Sequence, residues 1–132
     1  MKHDILFPQD IKLLIDTFYA RVTQDEVIGY IFNDVVKVNW PEHLPKMYAF
    51  WEFLLLGSNT YRGNPIEKHI ALHRIEPLQT AHFDRWIALF NTAVDDLFEG
   101  PKAEDAKFRA FSIAEVWKPK FVHPDGIGFI GK

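Results

Sequence analysis

Residues 40–57 read WPEHLPKMYAFWEFLLLG, and the spacing within this stretch decides the fold class. His43, Met47, Phe50, Trp51 and Leu54 recur at the spacing of one helical face. Pro41 suits a first turn, and Gly57 with Ser58-Asn59 supplies a stop. Towards the N-terminus, residues 8–24 form a second such pattern. Pro8 opens it, and Leu14, Phe18 and Val22 carry the stripe, broadened by Leu13 and Ile15. Asp25 to Phe32 reads as a short helical turn around Gly29, followed by a loop through Asn39. Towards the C-terminus, Pro65 opens a short helix with Ile66, His69 and Ile70, and residues 72–79 form a connector around Pro77. Thr80 then caps a long helix whose inward face is Phe83, Trp86, Phe90, Val94 and Leu97. Gly100-Pro101 ends it. A last helix spans Ala103 to Trp117 with Ala106, Ala110, Ile113 and Trp117 inward. Pro119, Pro124, Gly126 and Gly128 argue against any helical continuation, and only Gly128-Phe129-Ile130 hints at an extended segment.

The pattern predicts an all-α protein of four long helices and one short one. Two helix pairs packed across each other would bury the stripes around one core. The domain is expected over residues 1–118, with an irregular tail over 119–132. A chain of 132 residues suits a single core. Its net charge of -3 argues against a nucleic-acid partner, which needs a basic face. No apolar run approaches membrane-spanning length, and the N-terminus does not read as a secretory signal. The absence of cysteine excludes disulfides, thiolate zinc sites and thiolate-bound haem, and it fits a reducing compartment such as the cytoplasm. Aromatics reach 15%, enough either for a ring-filled core or for a pocket that takes a large flat ligand.

The histidines carry the chemistry. His3 and His123 sit near the termini. His69 and His73 are four apart, a zinc-like spacing, but Ile70-Ala71-Leu72 between them holds no catalytic glutamate. Glu67 and Glu76 have no histidine three residues on, so a di-iron bundle motif is missing. His69 alone, on a short proline-started helix with apolar neighbours, suits a single axial ligand to haem iron. Spacing by itself favours an ordinary core or surface histidine. Tyr19 and Trp86 lie on inward stripes and carry a hydroxyl and a donor-only indole N–H. Periodicity by itself favours plain packing for both, with the polar tips bonded to backbone or water.

Taken in order, these residues resemble the truncated haemoglobins, most closely their third group. The resemblance runs through Phe18-Tyr19-x-x-Val22, Ile28-Gly29-x-Ile31-Phe32, Trp40-x-Glu42-His43-Leu44-x-Lys46-Met47-x-x-Phe50-Trp51, Tyr61-x-Gly63-x-Pro65-x-x-x-His69 and His82-Phe83-x-x-Trp86-x-x-Leu89-Phe90. It covers residues 10–117. The Gly-Gly pairs of the first two groups are missing, as in the third. The resemblance implies a globin-like two-over-two helical sandwich holding haem b. It implies His69 as the proximal iron ligand, with His82 as a rival, and Tyr19, Trp86 and His43 on the distal side, His43 lining or gating the pocket. It further implies Phe32, Met47, Phe50 and Tyr61 as haem contacts, and Lys46, His73 and Arg74, with Lys68, near the propionates.

The expected function is binding of a diatomic gas (oxygen, nitric oxide or carbon monoxide) in a polar pocket. Two donors to one ligand slow its release, which suits oxygen, nitric-oxide or peroxide chemistry better than bulk transport. Dioxygenase or peroxidase-like turnover would need an external reductase or a peroxide supply. A cofactor-free helical interaction module and a non-haem metal protein are the alternatives.

Overall fold

The computed structural model describes residues 2–35, 39–57 and 80–121, with residue 35 and the last five described by backbone alone. Four helices dominate: α1 (Pro8–Thr23), α2 (Trp40–Leu56), α3 (Thr80–Leu97) and α4 (Pro101–Phe121), with one π-helical turn at Ile31–Val35. No strand occurs among the described residues. Packing of α1 against α2 and α3, and of α3 against α4, makes two crossed layers. Lys102 Nζ closes the remaining side by donating to the Leu55 carbonyl at 3.0 Å.

Local chemistry sets the helix ends. Pro8 stands in the first turn of α1, and Asp10 reaches back to accept from the N–H groups of Leu6 and Phe7 at 2.9 and 3.0 Å. Asn39 caps α2 by accepting from the Glu42 N–H at 3.3 Å. Gly57 ends α2 with φ of 76°, a conformation that side-chain-bearing residues resist. Gly29 is buried against α1, where an added Cβ would meet the carbonyl oxygens of Thr23 and Val22 at 3.0 Å.

The core is built from the expected stripes. Leu14, Phe18 and Val22 of α1 are buried, as are Trp51 of α2 and Phe83, Phe90 and Val94 of α3. Ala103, Ala106, Ala110 and Ala114 make α4 a small-residue face that lets α3 approach closely. Leu55, rather than Leu54, is the buried residue near the end of α2, and Met47 and Phe50 are half-buried.

The last helix differs from its expected span. It begins at Pro101 and runs through Pro119 to Phe121. Proline lacks only the N–H that would reach the Glu115 carbonyl, so one rung of the ladder is lost near the end. The expected short helix over 65–70 and the connector after it lie outside the described residues, as does the tail from residue 122.

The early start of α4 has a cause far away in sequence. Asp4 accepts from the N–H groups of Lys102 at 2.9 Å and Ala103 at 2.8 Å, and from its neighbour Ile5 at 2.8 Å. A side chain from the N-terminal segment thus caps the last helix. Gly100 makes room for it: φ there is 145°, and an added Cβ would lie 2.6 Å from Asp4 Cγ. Burial pushes the Asp4 carboxyl upward, but the three backbone donors and Lys102 outweigh it and hold the pKa below the ordinary 3.8.

Asp4→Ala should therefore cost about 1–2 kcal/mol at neutral pH, the usual range for a lost cap, read by urea unfolding. A lowered folded-state pKa means that the contribution is complete above 3.8 and fades as pH falls through the folded value. The gap between wild type and variant should accordingly shrink in melts taken at progressively lower pH.

Candidate functional site

Tyr19 is 9% exposed, near the end of α1, and four rings surround it. Phe18 lies at 4.8 Å between centroids, Trp40 at 5.3 Å, His43 at 5.5 Å and Phe32 at 6.1 Å. Trp40 and His43 share a face of α2 because they are three residues apart, and their rings meet edge-on at 5.5 Å. Phe32 comes from the π-helical turn and stacks on Trp40 at 6.2 Å. The turn is tied to α1, since Asn33 Nδ2 donates to the Thr23 carbonyl at 2.7 Å.

Trp86 reaches this group through Phe18. The Phe18 ring is edge-on to Trp86 at 5.8 Å and to Phe90 at 5.2 Å. One turn apart on α3, Trp86 and Phe90 stack at 5.9 Å, and Phe90 stacks in turn on Trp51 at 4.8 Å. The expected distal trio of Tyr19, His43 and Trp86 is thus brought together around one aromatic wall, with Met47 half-buried against the same core.

Burial alone pushes the Tyr19 pKa far above its ordinary value. The phenol is therefore neutral across the physiological range and keeps its proton to donate. Its hydroxyl makes no hydrogen bond to a described residue. Such a donor in an apolar, ring-lined setting suits a small ligand that carries partial negative charge.

Other expected residues fall elsewhere. Lys46 pairs with Glu42 along α2 at 3.4 Å. Phe50 lines a cavity of about 310 Å³ between α2 and α4, with Leu54, Phe108, Ile113 and the Asp105–Arg109 ion pair. His82, the rival axial ligand, lies beside Tyr30, whose hydroxyl is 3.5 Å from His82 Nε2. His69, Tyr61, Lys68, His73 and Arg74 lie outside the described residues. Among the described residues no group of three or more His, Cys, Asp or Glu could hold a metal ion, and no helix is long and apolar enough to cross a membrane.

Periodicity placed Phe18 on an inward stripe but gave neither it nor Trp40 a part in the site, and it marked none of the polar links between elements. Asp25 accepts from Arg85 Nε at 2.7 Å and from Arg85 Nη2 at 2.5 Å. On the outer side of α1, Tyr48 donates to Asp16, which also pairs with Lys12 at 2.8 Å. Burial first, and then this bond to a carboxylate, raise the Tyr48 pKa. The Asp25–Arg85 and Tyr48–Asp16 pairs join segments far apart in sequence, so no local signal marks them.

Comparison with known proteins bears on this arrangement. The model of a family described as bacterial-like globin matches residues 6–118. A group 3 truncated haemoglobin of Campylobacter jejuni is 32% identical over 101 residues, spanning 74% of this chain and 77% of that protein. The crystal structure of the group III truncated haemoglobin from Campylobacter jejuni superposes with a TM-score of 0.81 at 28% identity, covering 96% of this chain and 99% of the other. A truncated haemoglobin from Tetrahymena pyriformis shares the fold at TM-score 0.65 and 20% identity, over 86% and 90% of the two chains.

The two tyrosines should respond differently to loss of the hydroxyl. Tyr19→Phe removes a polar atom with no described partner and should leave stability unchanged or slightly higher. Tyr48→Phe breaks a bond to Asp16 and should cost about 1 kcal/mol. Urea unfolding of both variants checks the contrast.

Proposed function

The chain belongs to the bacterial-like globin family, among the group 3 truncated haemoglobins, and from that premise we propose that it binds haem b through His69 and holds a diatomic gas under Tyr19 and Trp86. The observation that carries this reading is Tyr19, 9% exposed within a wall of rings, whose hydroxyl makes no bond to a described residue and keeps its proton to donate. Both the donor set and the apolar wall fit haem, and the likeness to truncated haemoglobins points the same way.

When bound, haem would supply an iron able to take a gas molecule. Tyr19 and Trp86 would be the side chains that donate hydrogen bonds to it. A bond from a neutral donor to a charged acceptor is worth about 1.5–3 kcal/mol, or roughly one to two decades in release rate. Trp86 can only donate, so it never competes for the Tyr19 proton. Phe32 and Met47, with Tyr61, would keep water from bound haem, which would strengthen each remaining hydrogen bond; Phe50, expected beside them, lines a separate cavity between α2 and α4. Lys46, now paired with Glu42, and His73 and Arg74, with Lys68, would supply positive charge for the haem carboxylates. His43, one turn before Met47, admits or blocks the ligand.

Two strong donors make slow release, which favours oxygen, nitric-oxide or peroxide chemistry over bulk transport. Turnover of that kind draws electrons from a separate reductase. The lack of cysteine accords with a cytoplasmic setting.

Adding haem to the purified chain should produce a Soret band, and His69→Ala should abolish it or weaken haem retention. Stopped-flow release of oxygen should accelerate by roughly 10- to 100-fold in Tyr19→Phe and Trp86→Phe. Unchanged rates in both variants would remove the distal assignment.

A further inference from the structure

The turn after α1 contains a side chain whose bonds exceed what a turn requires. Asp25 is 2% exposed at its side chain. Its Oδ2 accepts from the N–H groups of Val27 at 2.9 Å and Ile28 at 3.1 Å, which fixes the carboxylate to the backbone. Its Oδ1 accepts from both Nε and Nη2 of Arg85. The guanidinium therefore meets a carboxylate that cannot turn away from it. Arg85 is the residue immediately before Trp86, and Asp25 follows the helix that carries Tyr19.

We propose that Asp25 and Arg85 form a positioning pair that sets the separation of Tyr19 and Trp86 by fixing the end of α1 to the first half of α3. The inference rests on the gas-binding reading above and adds to it the residues that hold the two donors in register. Between these helices, the contacts near the donors are otherwise apolar, Phe18 against Trp86 and Phe90. Such ring contacts favour an angle, but their shallow wells tolerate small slips. Two arginine N–H groups converging on one carboxylate oxygen, whose other oxygen is held by backbone, make a short charge-assisted bond that resists a slip of a fraction of an ångström. Lysine, a point charge, does not reproduce it. Donors misplaced by that amount lose much of a hydrogen bond's strength.

A second ion pair joins the same helices and supplies the comparison. Arg21 Nη1 meets Asp96 at 2.8 Å, but Asp96 is 52% exposed and lies nearly three turns beyond Trp86 on α3. It ties the helices from a point two residues after Tyr19 but far from Trp86.

The test uses haem-loaded protein with three readouts: oxygen release, the C–O stretching frequency of the carbon monoxide adduct, and thermal unfolding. Arg85→Gln should speed oxygen release by up to roughly tenfold, less than loss of a donor outright. It should also shift or split the C–O stretch. Arg85→Lys and Asp25→Asn, which keep a charge or an acceptor and so better preserve folding, should give smaller changes in the same direction. Arg21→Gln should lower thermal stability without moving release or the stretch. The proposal is overturned if Arg85→Gln, Arg85→Lys and Asp25→Asn all leave both ligand readouts at wild-type values while Tyr19→Phe moves them. It is equally overturned if Arg21→Gln moves them as much as Arg85→Gln does. No Soret band, or no response to Tyr19→Phe, would instead remove the gas-binding reading, and the proposal with it.

Discussion

Phe18 is 1% exposed, and the rest of the molecule is arranged around its ring. It touches Tyr19 on its own helix and meets Trp86 and Phe90 of α3 edge-on. Through Phe90, which stacks on Trp51, it also fixes α2. Edge-to-face pairs of this kind add about 0.5–1.5 kcal/mol beyond simple burial, and they constrain angle as well as distance. A close-packed interior transmits such constraints from ring to ring. The general placing of the two candidate donors therefore follows from the packing of a residue that has no polar atom in its side chain.

The same packing decides the chemistry of Tyr19. In water its hydroxyl would be an ordinary weak acid with plentiful partners. Surrounded by Phe18, Phe32, Trp40 and His43, it stays protonated on a ring held by its neighbours. On the proposed reading, a polar ligand entering this space would meet a donor already in position. Stability and binding would then draw on one set of contacts.

Polar groups do the joining at the margins. Asp4 caps α4 from the N-terminal segment, Asp25 fixes the turn after α1 to α3, and Tyr48 links α2 to Asp16 on α1. Each of the two aspartates is held to nearby backbone N–H groups while its partner comes from a distant helix. This arrangement confines directional bonds to the corners and leaves the centre to apolar rings.

The helical class, the inward stripes and most helix limits were legible in the sequence, because a 3.6-residue period and the proline and glycine stops are local properties. The ordered run of Tyr19, His43, His69 and Trp86 within family-like spacings was also enough to point to the globin family. Four things were not legible. The start of α4 depends on Asp4, and its passage beyond Pro119 shows that the backbone ladder continues past a proline, neither of which a breaker residue reveals. The closeness of Trp40 to Tyr19 and the Asp25–Arg85 bond arise only when helices distant in the chain are laid across one another. Periodicity states which face of a helix turns inward; which atoms then meet is settled by how the facing side chains fit in three dimensions.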